Sequence, residues 1–317
     1  MVRYIGKRLL SAIPVLFIVS IVVFMIIHLT PGDPARVMLG DQALEQDVEA
    51  LREQMGLNEP IITQYINWIK GIFHGDFGTS IFMQGTMLEI IASHIGPTIA
   101  LTLSALFIAV VLAIPLGILA AKYRGRVADQ LITGFSMLGV SIPNFLLGLL
   151  VMLFFGVVLK VLPTAGYQSL SKGFSGFVRY MILPALSLGL MHAALITRMT
   201  RSSMLSVLNS DYIKMAKAKG VHEFVMLFKH ALKNAFLPIL TVIGQSLISL
   251  LAGAMVTESV FNIPGIGQLV INSIERRDYE VVQAVVLVIA LINVVVMLAL
   301  DLLNGVIDPR VRMKNGE

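Results

Sequence analysis

Residues 198–234 read RMTRSSMLSVLNSDYIKMAKAKGVHEFVMLFKHALKN, between the apolar runs MILPALSLGLMHAALIT (Met181–Thr197) and AFLPILTVIGQSLISLLAGAMVT (Ala235–Thr257). The interruption holds seven Lys or Arg and two acids, in a chain that is 56% hydrophobic and 14% charged. Soluble domains do not carry that balance. A basic, helix-prone stretch between two membrane-length runs reads as a loop joining two spans, built to be held by another protein. The fold class is therefore all-α integral membrane.

Outward from this loop, a spanning helix needs about 20 apolar residues to cross a ~30 Å hydrocarbon layer. Six runs meet or approach that: Leu9–Leu29, Thr98–Ala121, Leu131–Leu159, Met181–Thr197, Ala235–Thr257 and Val281–Leu300. The fourth has 17 residues, and Arg179 and Arg198 can snorkel at its ends. The third has 29 and overshoots the bilayer unless tilted or broken. Ser141-Ile142-Pro143-Asn144 is the expected break, because Pro143 removes a helix hydrogen bond and clashes with the preceding turn. Arg3, Lys7 and Arg8 before the first run suggest a signal peptide. Its 21 residues exceed a signal core and no small-x-small site follows, so it reads as an uncleaved anchor.

Lys and Arg counts on alternate sides total 16 on the side of the termini and of loop 198–234, against 8 on the other. The positive-inside rule then makes both termini cytoplasmic and segment 30–97 external. In that segment Asp41–Met55 holds five acids with Ala43, Leu44, Val48 and Leu51 at helical spacing, which predicts a short surface helix. Ile61–Phe73 is a second amphipathic candidate, with Trp68 at the headgroup level, and Gly75–Ser80 reads as a turn. The net charge of +5 sits in clusters at the ends of apolar runs, without a basic face or interleaved aromatics, which argues against nucleic acid. The chain has no Cys, so disulfide and thiol chemistry are excluded.

Reactive groups are few. No G-x-x-x-x-G-K-[ST] loop occurs, so ATP is not bound in that way. The six histidines form no metal pattern; His222-Glu223 lacks a second His four residues on, and no metal site is expected. His192 reads as a packing histidine or as a polar pore group, and the 17 Met residues as packing. Mid-membrane acids, which an ion-coupled carrier needs, are nearly absent; Asn144, Gln245 and Asn293 are neutral. Energy should enter through a partner on the cytoplasmic face.

Within the loop, Ser210 or Asp211 can cap a helix over Tyr212–Lys219 that Gly220 ends in a left-handed conformation. Tyr212, Met215, Ala216 and Lys219 would share one face, with Lys214 and Lys217 elsewhere. A following helix from about Glu223 would stack Phe224, Phe228, Ala231 and Leu232 on one side. The alternative is an amphipathic loop lying on anionic membrane lipid.

The run Tyr212-x-x-x-Ala216-x-Ala218-Lys219-Gly220, followed by His230-Ala231-Leu232-Lys233-Asn234 and Pro238, resembles the coupling loop of ABC-importer permeases of the dipeptide, oligopeptide and nickel class. Pro31-Gly32-Asp33-Pro34, Gly75-Asp76-Phe77-Gly78 and Leu162-Pro163 are similar to that family too. So are Glu258-x-Val260-Phe261-x-x-Pro264-Gly265-Ile266-Gly267, Arg277-Asp278-Tyr279 and Asp308-Pro309-Arg310. Against the broader permease motif, Lys214 replaces a Glu and Lys233 a Pro, as the peptide class would have it.

The resemblance implies a six-span type I ABC importer permease in the bacterial or archaeal inner membrane, non-catalytic and without a cofactor of its own. Implied partners are a homologous second permease, two cytoplasmic ATPase subunits carrying ATP and Mg, and an extracytoplasmic solute-binding protein. Asp211, Tyr212, Ile213, Lys214, Met215, Ala216, Lys217, Ala218, Lys219 and Gly220, with His230 and Asn234, would couple to the ATPases. Pro143, Asn144, Glu258, Phe261, Pro264, Gly265 and Gly267 are candidates for pathway or gate. Di- and oligopeptides are the expected cargo. Nickel or metal chelates and glutathione stay open within the class, and a self-contained channel or secondary carrier is the rival from outside it.

Overall fold

The computed structural model describes residues 2–29, 33–40, 42–80 and 82–307, and the regular elements among them are helical. In chain order they are α1 (Val2–Leu29), the short α2 (Pro34–Leu39), α3 (Glu45–Gln54), α4 (Ile61–Phe73), α5 (Met87–Lys122), α6 (Val127–Ser141) and α7 (Asn144–Val151). The chain continues through α8 (Phe174–Leu208), α9 (Asp211–Ala218), α10 (Glu223–Val225), α11 (Leu232–Phe261), α12 (Ile266–Glu275) and α13 (Tyr279–Ile307). A π-turn over Met152–Val158 extends α7, and another over Met226–Ala231 joins α10 to α11. Pro31, Gly32 and Asp308-Pro309-Arg310 lie outside the described residues.

Among the described residues, five stretches are long and apolar enough to cross a membrane: Leu10–Leu29, Met87–Lys122, Phe174–Leu208, Glu223–Phe261 and Tyr279–Leu303. The expected third span is instead two helices, Val127–Ser141 and Asn144–Val158, bent by 105°. Counted as one broken span, they bring the number to six. The bend falls at Ile142-Pro143, where the break was expected, yet it is far sharper than the tilt of an overlong helix. Pro143 takes an extended ψ of 138° and starts the second helix as its N-cap.

Helices run past the boundaries that charge suggests. The fourth apolar run of 17 residues lies inside the 35-residue α8, which absorbs Arg198 and Arg201. The fifth ends at Thr257 by hydropathy, whereas α11 continues through Glu258 to Phe261. A charge ends an apolar window without ending a helix, because helix propagation needs only backbone bonds and tolerable side chains. Much of 198–234 is accordingly helical, and the true interruption is Asn209–Ser210 with Lys219–His222.

The chain divides into two compact units, residues 1–95 with 269–295, and 96–268 with 296–317. In the first, Gln283 of α13 is buried and donates from Nε2 to the Val23 and Phe24 carbonyls of α1, at 3.0 and 3.2 Å. The Phe24 ring meets Tyr65 at 5.3 Å and Trp68 at 5.7 Å between centroids. Trp68 is thus half-buried against α1. The amphipathic α3 buries Val48 and leaves Leu44 exposed. Asp33 caps α2 through Ala35 N–H at 3.2 Å and accepts from Arg52 at 3.0 Å, a bond that raises the Arg52 pKa.

The second unit is organised by a seam between α5 and α8. Leu101, Ala105, Ala109 and Ala113 are buried at four-residue spacing, and Gly117 extends the series. Opposite them, a Cβ at Gly189 would sit 2.6 Å from the Ala105 carbonyl oxygen, and one at Gly117 would sit 2.5 Å from the Thr200 Cβ. Thr197 Oγ1 also donates to the Ala113 carbonyl at 3.5 Å. The contacts 105 to 189, 113 to 197 and 117 to 200 advance together, so the two helices run parallel. Helices in lipid gain little from burying apolar surface against each other, and small residues that let backbones approach supply the packing instead. α11 and α6 pack on other faces of α8.

Gly189→Ala should lower the melting temperature of the detergent-solubilised protein by several degrees, since overpacking a tight contact costs about 1–3 kcal/mol. Gly134→Ala, where an added Cβ meets nothing within 4 Å, should leave it unchanged. Circular dichroism melts of both variants check this, and equal melting points would refute the seam.

Candidate functional site

Residues 198–234 fold into the end of α8, α9, α10 and the π-turn that leads into α11. Ser210 is the N-cap by backbone, with ψ 152°, but its hydroxyl donates back to the Val207 carbonyl at 2.5 Å rather than capping. Gly220 takes φ +76°, the left-handed ending expected of it. The inward residue of α9 is Ile213, buried with Met204, Met226, Leu227 and Ala231 in one cluster. Ala216 is half-buried, and Asp211, Lys214, Lys217, Ala218 and Lys219 are exposed. Tyr212 and Met215 are 45% and 61% exposed, large apolar side chains facing away from the protein's own core.

The face grouping expected for the second helix is corrected. Phe224 and Phe228 stack on each other at 4.5 Å but remain exposed, while Met226, Leu227 and Ala231 turn inward. From Phe228 onward the π-turn contributes to this, since its extra residue per turn moves side chains away from α-helical register; Phe224 lies before it. His230 is half-buried and Asn234 exposed. Asn234 donates to the His230 carbonyl at 2.9 Å, so the two sit on the entry turn of α11 and not on α9. Lys122 at the end of α5 pairs with Glu223 at 3.1 Å. Lys214, standing where the broader motif has Glu, pairs with Asp211 at 2.9 Å on the exposed surface.

At its other end α11 carries the second group of candidates. Glu258 is fully buried. One carboxylate oxygen accepts from Thr98 Oγ1 at 2.6 Å, and the other from the Gly267 and Gln268 N–H groups at 2.7 and 3.1 Å. Thr98 in turn accepts from Ile266 N–H at 2.8 Å. The carboxylate is the centre round which the turn Asn262–Gly265 folds, with Asn262 in the left-handed region at φ 51°. Gly265 packs against that carboxylate and Gly267 against Met255, so neither has room for a side chain. Phe261 is buried, and its carbonyl accepts from Gly166 N–H at 2.8 Å. Asn144, after the Pro143 break, lies beside Gly253 and keeps a buried Oδ1 without a hydrogen-bond partner among the described residues.

A model of the binding-protein-dependent transport system inner membrane component matches residues 113–313, and the N-terminal model for membrane components of such systems matches residues 1–102. The chain belongs to this permease family. It is 42% identical over 309 residues to a probable peptide ABC transporter permease of Sinorhizobium fredii, covering 98% of this chain and 99% of that one. The glutathione transport system permease of Escherichia coli is 41% identical over 314 residues, with 99% and 100% covered. Among solved structures, a chain of the inward-facing MetNI methionine ABC transporter superposes with a TM-score of 0.59 at 18% identity, over 71% of this chain and all of that one. The permease is thus a non-catalytic, multi-pass inner-membrane subunit of an ABC importer, in a family without a cofactor. Membership sets aside the self-contained channel or carrier.

The permease also joins two motifs about 200 residues apart. Thr79 N–H donates to Glu280 at 2.7 Å and Ser80 Oγ to Asp278 at 2.6 Å, so the turn after Gly75-Asp76-Phe77-Gly78 is fastened to the start of α13. Each motif was visible in the sequence, but their pairing was not.

Unseen as well was the ion pair of Asp129 with Arg201. The guanidinium binds the buried carboxylate through both nitrogens at 2.6 and 2.7 Å, and Gly125 N–H adds a third bond at 2.9 Å. Asp129 lies just before the apolar run and Arg201 just after one, positions that read as flanking charges.

Glu258→Ala leaves a buried hydroxyl and two N–H groups without their acceptor, at about 1–3 kcal/mol for each unsatisfied group. It should lower the melting temperature markedly more than Glu258→Gln, which keeps one acceptor oxygen. Thermal unfolding in detergent measures the order; equal effects would remove Glu258 from the centre of the turn.

Proposed function

We propose that this permease forms half of the translocation pathway of a peptide importer, glutathione included, and takes its energy from ATPase subunits docked on α9. Relatives at about 41% identity are named for peptide and for glutathione transport, and these cargoes share amide bonds and free carboxylates. The partners in this reading are a second, homologous permease, two cytoplasmic ATPases and an extracytoplasmic binding protein. The excess of Lys and Arg on the side of loop 198–234 supports a cytoplasmic location for both termini in this reading.

The observation that carries the reading is the division of labour on α9. Ile213 fixes the helix to the permease's own core, while Tyr212 and Met215 stay 45% and 61% exposed among the described residues. Large apolar side chains ringed by Lys214, Lys217 and Lys219 suit a cleft with an apolar floor and acidic rim on a partner. Closure of the ATPases on ATP would move α9 and, with it, α8 and α11, alternating access across the membrane. The bend at Pro143-Asn144 and the turn held by Glu258, with Phe261, Pro264, Gly265 and Gly267, serve in this scheme as pathway and gate.

Met215→Glu and Tyr212→Ala alter exposed positions and should leave the melting temperature of the permease unchanged. Each should weaken ATPase binding roughly thirtyfold, the loss of an interface anchor worth about 2 kcal/mol. Co-purification of the ATPases and uptake in proteoliposomes read the outcome. Gly220→Val, which forces a β-branched residue into φ +76°, should act in the same direction. Normal uptake in all three variants would remove α9 as the docking element.

A further inference from the structure

Between α6 and α8 lies a cavity of about 330 Å³, lined by Ile132, Thr133, Ser136, Met137, Val140 and Ser141 on one side and by Ala194, Thr197, Arg198 and Arg201 on the other. Its volume falls within the range of about 300–1,000 Å³ of small-molecule pockets. We propose that it is a passage subsite for the carboxylate-bearing end of a peptide, with Arg198 as the residue that holds the carboxylate. The proposal rests on the peptide-importer reading above.

Three observations define the ligand. First, of the two guanidinium groups, Arg201 is neutralised by its two bonds to Asp129, whose carboxylate also binds Gly125 N–H. No carboxylate pairs with Arg198 among the described residues, so the cavity keeps one positive charge, at an exposed side chain on its wall. Second, the hydroxyl hydrogens are already used. Ser136 donates to the Ile132 carbonyl at 2.8 Å and Ser141 to the Met137 carbonyl at 2.9 Å, leaving oxygen lone pairs as acceptors. Third, Ile132, Met137 and Val140 give the wall an apolar strip.

The occupant that matches all three carries an anionic group, N–H donors and an apolar side chain. A peptide has these. A lipid phosphodiester has acceptors only and would satisfy Arg198 alone; only hydroxyls elsewhere in a lipid headgroup could meet the serine lone pairs. The place suits a passage site as well. Residues 194, 197, 198 and 201 lie on α8, which continues to Leu208, with two residues between it and α9. Occupancy of the cavity and docking on α9 therefore bear on one helix.

The test uses the complete importer in proteoliposomes, with dialanine and glutathione as probes, and compares Arg198→Gln, Arg198→Lys and Ser136→Val with the wild type. Arg198→Gln should raise the KM for uptake, or lower the solute moved per ATP, about tenfold or more, as expected for a lost charge-assisted bond. Arg198→Lys should recover part of the loss. Ser136→Val, which fills the cavity and leaves the charge, should also raise KM, and it keeps the test open if Arg198→Gln folds poorly. Probe binding to the solute-binding protein should not change. Wild-type KM and coupling in both Arg198→Gln and Ser136→Val would overturn the subsite. Loss of co-purifying phosphatidylglycerol from Arg198→Gln with unchanged uptake would overturn it in favour of a lipid site. Failure of the wild type to take up either probe would overturn the importer reading itself and the subsite with it.

Discussion

The close approach of α5 and α8 is the constraint on which the second unit depends. In hydrocarbon, two helices gain little by burying leucines against each other, so their contact is decided by how near the backbones can come. The run Ala105, Ala109, Ala113 and Gly117 removes bulk from one helix, and Gly189 removes it from the other at the point where the Ala105 carbonyl arrives. This fixes the axial position of α8 to within a side chain. Every other feature of α8 inherits that setting: the face that receives α11, the Arg201 that binds Asp129, and the Leu208 end from which α9 departs.

The architecture was largely legible in the sequence, for a physical reason. Membrane helices must satisfy their backbones internally, so apolar length alone marks them. Pro143 marked the break because it falls within a run too long for one span and its ring removes a helix hydrogen bond, whereas Pro115, Pro184 and Pro238 stay inside helices; Gly220 marked the end of α9 through its left-handed φ. Helix ends were less legible. Arg198 and Glu258 look like boundaries by hydropathy, but each is carried inside a helix by partners that lie elsewhere in the chain or by exposure at the helix surface. Glu258 is tolerated because Thr98 and two turn amides bond its carboxylate, and Thr98 lies 160 residues away. Local pattern holds no trace of such a partner.

The same limit applies to the candidate site. The residues of α9 could be named from the loop, since Tyr212, Met215 and the lysines follow one another in order. Which face was inward could not, because Ile213 is selected by Met204 and by Met226, Leu227 and Ala231 of the π-turn. Likewise Gly75–Ser80 and Arg277–Glu280 each read as a turn, and only folding shows that Thr79 and Ser80 bond Glu280 and Asp278. What the sequence withholds is the pairing of polar groups across distance, and in a membrane protein that pairing carries most of the specificity, apolar surface being interchangeable.

This places a mechanical demand on α8. A helix of 35 residues spans about 50 Å at 1.5 Å per residue, and beyond Pro184, which donates no backbone bond, it runs helical to Leu208. A displacement at one end is then felt at the other, provided that the joint to the moving partner is well defined. Asn209 and Ser210 supply that joint: they are the non-helical residues between α8 and α9, and Ser210 is in extended conformation. Ile213 holds α9 on the π-turn of the segment entering α11, so a push on α9 acts on α8 through the Asn209–Ser210 joint and on α11 through the buried cluster. Because α8 also meets α5 by backbone contact, the proposed docking of a partner on α9 would move α8 together with α5. In that proposal a seam of alanines and glycines, chemically the least expressive part of the chain, would turn a docked helix into a lever.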